Sequence, residues 1–92
     1  MGKKVGVLWP SAENYGRFAA VCPDIKQATW DDYVAMAAPK IAQLRAQGVD
    51  MVQLDFDPDA LVRWCQANGA EVNSNGRAGY AGALLAEQGR GG

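Results

Sequence analysis

Two short apolar runs along the chain have the pattern of β-strands. The first, Lys4–Trp9, is rich in valine and is closed by Pro10, which cannot donate to a strand ladder. The second, Val49–Phe56, alternates apolar and polar residues and places three apolar side chains on one face: Val52, Leu54 and Phe56. Because helical patterns separate the two runs, they are expected to pair in parallel through a right-handed crossover.

A short helix is predicted directly after the first strand. Ser11 can cap a helix that runs from about Glu13 to Val21, and Pro23 stops it. The apolar positions of this segment recur at helical spacing and fall on one face: Tyr15, Phe18, Ala19 and Cys22. That face is the one expected to be buried.

The longest helical pattern lies just before the second strand. Thr29 and Asp32 resemble a capping box at its start, and Gly48 follows its last turn. Between them, apolar residues recur at helical spacing: Trp30, Val34, Ala37, Ile41 and Leu44. Pro39 interrupts the pattern, and a proline inside a helix removes a backbone hydrogen bond and costs about 3 kcal/mol. A kink, or a break into two helices, is therefore expected near Ala38.

The C-terminal third of the chain contains two further helical patterns. Asp57 can cap the first of them, and Gly69 ends it. Asn73 or Ser74 can cap the second, which is predicted to run from about Gly76 to Gln88. The region therefore has the pattern of two helices joined by a short loop.

The last predicted helix carries a glycine at every third position: Gly76, Gly79 and Gly82. A glycine inside a helix costs up to about 1 kcal/mol relative to alanine, so three of them require a reason. Close packing of Gly79 and Gly82 against Trp64 or Trp30 is the structural explanation. A docking face for a partner helix is the alternative.

The order of these elements predicts one α/β domain over residues 1–92, in which about four helices pack with a two-stranded parallel sheet. Residues 57–88 form a C-terminal two-helix unit, and residues 89–92 are expected to be a disordered tail. The predicted core draws apolar residues from every element: Val5, Val7, Trp9, Phe18, Trp30, Val34, Ile41, Leu44, Val52, Leu54, Phe56, Leu61, Trp64, Leu84 and Leu85.

Charge and composition exclude several functions. The net charge is −1, and residues 1–56 carry six basic and six acidic side chains while residues 57–92 carry three and four. Neither part therefore attracts nucleic acid or an anionic membrane at long range. The absence of histidine removes Ser-His-Asp and Cys-His catalysis and most zinc sites. Cys22 and Cys65 are expected to be buried, reduced thiols, with a redox pair or a metal site as the alternative.

Polar residues follow both predicted strands. Because ligands bind beyond the carboxyl ends of parallel strands, a small ligand cleft is a candidate there, formed by Ser11, Glu13, Asn14, Asp55 and Asp57. A carboxylate pair in such a cleft could perform acid–base chemistry. Asp55, Asp57 and Asp59 also have the spacing that opens a calcium loop. Ala60 and Gln66 stand where that loop needs glycine and glutamate, so no metal site is predicted.

The loop before the last helix carries a further motif. Residues that mark a helix, a turn and a loop follow one another there: Trp64, Asn68-Gly69, Val72 and Gly76-Arg77. In this pattern residues 60–88 resemble the C-terminal domain of the actinobacterial nucleoid silencing proteins, which bind AT-rich DNA. The resemblance implies that Asn75, Gly76 and Arg77 form a minor-groove loop, with Asn75 in place of the first arginine of an Arg-Gly-Arg motif. Because only one arginine of that motif is present, Arg77 is expected to be exposed at a helix-starting turn and not to read DNA.

The whole chain also resembles small bacterial proteins of unknown function through Trp64-Cys65, Gly69 and Arg77-Ala78. That resemblance implies no activity. The expected function is that of a non-enzymatic accessory or protein-interaction protein in the cytoplasm, without a cofactor. The alternatives are nucleic-acid binding through the C-terminal two-helix unit and a small enzyme or ligand binder at the strand ends. Since unpaired strand edges invite pairing with another chain, a homodimer is also expected.

Overall fold

The structure is a computed structural model that describes residues 4–90, and it confirms the predicted α/β fold. A parallel sheet of two strands is packed with four helices within this range. In chain order the elements are β1 (Lys4–Leu8), α1 (Tyr15–Val21), α2 (Trp30–Ala46), β2 (Asp50–Leu54), α3 (Pro58–Ala67) and α4 (Ser74–Arg90). The strands are aligned residue by residue, from Lys4 opposite Asp50 to Leu8 opposite Leu54.

The start of α1 lies two residues later than predicted. Ser11 and Asn14 form a reciprocal pair: the Ser11 hydroxyl accepts from the Asn14 N–H at 3.0 Å, and the Asn14 side chain accepts from the Ser11 N–H at 2.9 Å. This pair has the connectivity of a capping box, but it closes a turn before the regular helix begins at Tyr15. The predicted buried face is confirmed for Tyr15, Phe18 and Cys22.

Helix α2 is continuous through Pro39, so of the two expected outcomes, a kink or a break near Ala38, the break does not occur. Thr29 caps its start by accepting from the Asp32 N–H at 3.1 Å. Pro39 and Ala35, whose carbonyl loses its partner to the proline, are both exposed, so water can hydrate that carbonyl. Gly48, with a φ of +92°, ends the helix as predicted.

Helix α3 begins and ends as predicted. The Asp57 side chain accepts from the Asp59 N–H at 3.0 Å, and Pro58 lies in the first turn. Gly69, with a φ of +65°, follows the last turn, and the Ala70 N–H donates to the Cys65 carbonyl at 2.8 Å. These two features are those of a Schellman motif.

The core centres on Phe18, which contacts Tyr15, Tyr33 and Phe56 with ring centroids 5.3–6.1 Å apart. Tyr33 is 8% exposed and belongs to this core, although the predicted core did not include it. Leu44 was predicted to be buried and is 37% exposed, because it lies in the last turn of α2 beyond the buried seam.

The three glycines of α4 have different surroundings. A Cβ atom on Gly76 would lie 2.0 Å from the Glu71 carbonyl oxygen, so no side chain fits there. A Cβ on Gly79 would lie 3.0 Å from the Trp64 ring, which confirms the predicted packing at that position. A Cβ on Gly82 would meet open space, so the predicted close packing of Gly82 is wrong.

Helix α4 extends to Arg90, two residues into the segment predicted to be a disordered tail. The backbone of residues 89 and 90 is thus helical, and Gly91 and Gly92 lie outside the described residues. The Asn73 side chain caps the start of α4 by accepting from the Gly76 N–H at 3.1 Å. No helix within residues 4–90 is long and apolar enough to cross a membrane.

Candidate functional site

A cleft of about 220 Å³ lies along β1 and is the candidate site. Its floor is formed by residues 6–8 of the strand, and its walls by Tyr33 of α2 and by the first two turns of α4. The residues that α4 contributes are small apart from one arginine: Ser74, Arg77, Ala78 and Ala81. We call this feature the edge cleft.

The hydrogen-bond phase of the sheet determines which backbone groups face away from β2. The Trp9 N–H donates to the Leu54 carbonyl at 2.9 Å, so the backbone N–H and C=O groups of Trp9 point toward β2. This direction alternates from residue to residue in a parallel ladder. The backbone groups of Val7 therefore also point toward β2, whereas those of Gly6 and Leu8 point away from it. Within residues 4–88 these outward N–H and C=O groups have no hydrogen-bond partner. The edge cleft therefore runs along an unpaired strand edge.

The opposite edge of the sheet is partly covered. By the same alternation, the backbone N–H and C=O groups of Met51 in β2 point away from β1. Its carbonyl accepts a hydrogen bond from Arg45 Nη2 at 2.8 Å, so the last turn of α2 occupies one group of that edge. The two edges are thus unequal, because Arg45 occupies one outward group of β2 and the edge cleft lies along β1.

Gly6 holds β1 close to α4. A Cβ atom on Gly6 would lie 2.8 Å from Leu54 Cδ1 and 3.0 Å from the Ala81 carbonyl oxygen. The first contact would displace the end of the flexible Leu54 side chain, and the second is tighter than most Cβ contacts, so a side chain here would require α4 to shift slightly away from the strand. The glycine therefore fixes the position of the edge cleft relative to α4.

Arg77 lies at one end of the edge cleft and is engaged in an ion pair. Its Nη1 and Nη2 atoms donate to the two carboxylate oxygens of Asp24 at 2.7 and 2.9 Å. Its guanidinium carbon lies 6.0 Å from the centre of the Phe18 ring, and its side chain is only 16% exposed. The expectation that Arg77 is an exposed arginine is therefore wrong, because Asp24, 53 residues earlier, binds it.

This ion pair changes the pKa of both partners. The hydrogen bond from Arg77 lowers the pKa of the Asp24 carboxyl. Burial acts to lower the pKa of Arg77, but the hydrogen bond and charge of Asp24 outweigh it and the pKa is raised. Both groups therefore stay charged near neutral pH, and each neutralises the other.

Tyr33 supplies a polar group to the wall of the edge cleft. Burial raises the pKa of its phenol, so the hydroxyl stays protonated near neutral pH. Among residues 4–88 the hydroxyl has no hydrogen-bond partner, and it is not sealed from solvent. It is therefore free to bind a ligand in the cleft as a donor or an acceptor.

Most residues of the predicted strand-end cleft make hydrogen bonds that stabilise turns and helix ends. Ser11 is bonded to Asn14, the Asn14 side chain donates to the Phe56 carbonyl at 3.1 Å, and Asp57 caps α3. Glu13 and Asp55 are exposed. The structure thus brings Asn14 to the end of β2, while three of the five polar groups are engaged in local hydrogen bonds.

The predicted nucleic-acid residues are also placed within the fold. Asn75 is exposed in the first turn of α4, Gly76 is buried against the Glu71 carbonyl, and Arg77 is bound to Asp24. Cys22 and Cys65 are free thiols and both are buried, as expected. Within residues 4–88, no three cysteine, aspartate or glutamate side chains are grouped so that they could hold a metal ion.

The edge cleft was missed as a site by sequence reasoning. The open strand edges were expected, but which edge is covered depends on the bond from Arg45 to Met51 and on the phase set by Trp9. Comparison with family models, curated proteins and solved structures finds no match to this chain.

Proposed function

We propose that this chain is a non-enzymatic interaction protein that binds an extended polypeptide segment along the free edge of β1. The observation that supports this proposal is the edge cleft, which is lined by Gly6 and Leu8 and along which their outward backbone groups are unpaired. Addition of a strand to an exposed sheet edge is a common mode of peptide recognition.

The chemistry of the edge cleft suits such a segment. Two outward residues present two N–H donors and two C=O acceptors, and each hydrogen bond contributes about 0.5–1.5 kcal/mol net. Ala78 and Ala81 leave room beside the strand, and the Tyr33 hydroxyl can bond a polar group of the bound segment. Backbone pairing supplies affinity, and these walls supply selectivity.

The same groups argue against catalysis in the edge cleft. The pKa of Tyr33 is raised by burial, and Asp24 and Arg77 hold each other in their charged forms. Burial also raises the pKa of the Cys22 thiol, which opposes formation of the thiolate nucleophile. None of these four groups is poised to exchange a proton near neutral pH.

Nucleic-acid binding through Arg77 is a weaker alternative. A minor-groove arginine must bring a free positive charge to the DNA, whereas this guanidinium is bound at two points by a carboxylate. Arg77 would have to dissociate from Asp24 before it could bind DNA, and the free energy lost in breaking this ion pair would weaken the binding.

Selection from a random library of ten-residue peptides, with the protein immobilised at low density, tests the proposed function. The control is the protein with an N-methyl group on Gly6, made by ligating a synthetic segment 1–21 to residues 22–92 at Cys22. The methyl group removes an outward donor but adds no Cβ. We expect selected peptides to bind the unmodified ligated protein and to lose at least tenfold in affinity for the methylated one. Equal binding to both proteins, or no enriched peptide, would contradict the proposal.

A further inference from the structure

We infer that the edge cleft takes a tyrosine side chain of the bound segment, whose ring lies against the apolar walls and whose hydroxyl bonds to the hydroxyl of Tyr33. This inference rests on the proposed function and names the residue that the same site selects. Tyr33 and Ala78 are then the residues that determine specificity, because backbone pairing along β1 does not distinguish one sequence from another.

The volume of the edge cleft suits one aromatic side chain. The cleft measures about 220 Å³. A cavity of about 150 Å³ with apolar walls holds a benzene ring, whereas the sites of drug-sized ligands and cofactors measure about 300–1,000 Å³. The edge cleft is therefore large enough for a phenol ring and too small for a nucleotide or another large cofactor.

The walls of the cleft are apolar where the ring would lie. Val7 and Leu8 belong to the floor, and Ala78 and Ala81 present only methyl groups from α4. Ala78 is exposed, so a bound side chain would cover apolar surface that is now in contact with water. Aromatic side chains bury about 150–250 Å² each and gain most from walls of this kind.

The hydroxyl of Tyr33 favours tyrosine over phenylalanine. Tyr33 is 8% exposed, yet its hydroxyl is not sealed from solvent and has no hydrogen-bond partner among residues 4–88. A mostly buried polar group without a partner costs free energy, and a ligand that bonds it removes this cost. A second hydroxyl suits the position because it can either donate to Tyr33 or accept from it.

Charge in the cleft favours a neutral side chain. Arg77 is the charged residue among the described residues that line the cleft, and Asp24 accepts from both of its terminal nitrogens. A carboxylate in the cleft would be repelled by Asp24, and an ammonium group would be repelled by Arg77. Either ion would also lose water without gaining a free partner of opposite charge. The neutral phenol avoids both costs.

Titration with p-cresol, which has the structure of a tyrosine side chain, tests the inference by NMR of the alanine methyl groups. We expect p-cresol to shift the signals of Ala78 and Ala81 and to bind more tightly than toluene, which lacks the hydroxyl. Tyr33→Phe should lower the affinity for p-cresol roughly 3- to 10-fold, the effect of one net hydrogen bond, and leave that for toluene unchanged.

Ala78→Leu should abolish the binding of p-cresol, because the larger side chain fills the cleft. Ala86→Leu is the matched control, since Ala86 is exposed in the same helix and does not line the cleft. Equal affinities for p-cresol and toluene, unchanged binding in Ala78→Leu, or tighter binding of benzoate would each overturn the inference. If Ala78→Leu does not fold, the result for Tyr33→Phe decides the question alone.

The peptide selection separates this inference from the proposed function. Enriched peptides should contain a tyrosine, and its replacement by alanine should weaken binding about tenfold or more, as loss of a buried aromatic anchor does. Peptides that lose affinity for the protein N-methylated at Gly6 but contain no tyrosine would overturn the inference and leave the proposed function standing. Tyrosine peptides that bind both proteins equally would contradict the proposed function alone. The absence of any enriched peptide would overturn both.

Discussion

Arg77 shows how one residue is redirected by a partner far away in the sequence. The sequence predicts that Arg77 is exposed at the turn that starts α4. In the structure, however, Asp24 binds both of its terminal nitrogens and Phe18 lies under the guanidinium. The pair joins the segment between α1 and α2 to the start of α4. Its role is therefore to hold one wall of the edge cleft in place.

Replacement of Arg77 is expected to destabilise the fold. Arg77→Ala removes a two-point ion pair, in which the Arg77 side chain is 16% and the Asp24 side chain 38% exposed, and a cation–π contact. Solvent screens the exposed Asp24, so we expect the free energy of unfolding to fall by roughly 1 kcal/mol. Arg17→Ala is the matched control, because Arg17 pairs with Asp59 at 2.7 Å but both side chains are about half exposed or more. In urea unfolding, the control should lose less than about 0.5 kcal/mol of unfolding free energy. Equal losses for the two variants would contradict a structural role for Arg77.

At the scale of the elements, α4 is held against its neighbours at selected positions. Gly6 of β1 admits the Ala81 carbonyl, and Gly79 receives the Trp64 ring, whereas Gly82 faces open space. The helix is thus packed closely against Gly6 and at Gly79, but not at Gly82. A glycine without a packing contact only lowers the stability of the helix.

Alanine substitutions along α4 should therefore differ in sign. Gly82→Ala should stabilise the protein by up to about 1 kcal/mol, because it adds helix propensity without a clash. Gly76→Ala should destabilise it by more than about 1 kcal/mol, because the new Cβ would overlap the Glu71 carbonyl. Thermal unfolding of both variants measures the difference. Destabilisation by Gly82→Ala would show that its surroundings are not open.

Arg45 is expected to limit association at the second edge of the sheet. Arg45→Ala removes the donor to the Met51 carbonyl and should permit association through this edge at high concentration. Lys40→Ala, an exposed residue of the same helix, is the control for lost positive charge. Light scattering at about 100 µM should show larger species for the first variant alone. Identical masses for both variants would mean that Arg45 does not protect the edge.

Much of the fold follows from local patterns, which is why it could be predicted. Thr29, Asp57 and Gly69 act as caps within a few residues of the positions they serve. The site depends on contacts between distant segments. The hydrogen bond between Trp9 and Leu54 determines which backbone groups of β1 point outward. No local pattern shows that Arg45 bonds to the outer edge of β2. Tyr33 was missed because a tyrosine at a helical position does not reveal whether its ring is buried.

At the scale of the whole molecule, the sheet is small for the helices that it supports. A sheet of two strands gains stability from helices packed on it, and addition of strands extends it further. In this chain α2 packs on β2 and α4 on β1, while the β1 edge is left unpaired beside the edge cleft. A segment bound along this edge would therefore extend the sheet.

Amide hydrogen exchange at single residues tests the central claim, that the outward edge of β1 is the binding surface, most directly. In the free protein, the N–H groups of Gly6 and Leu8, which have no hydrogen-bond partner, should exchange faster than the N–H of Val7, which is bonded to β2. With a saturating selected peptide, protection should rise at Gly6 and Leu8 and stay unchanged at Val7. Unchanged exchange at Gly6 and Leu8 despite measured peptide binding would place the binding surface elsewhere and contradict the account.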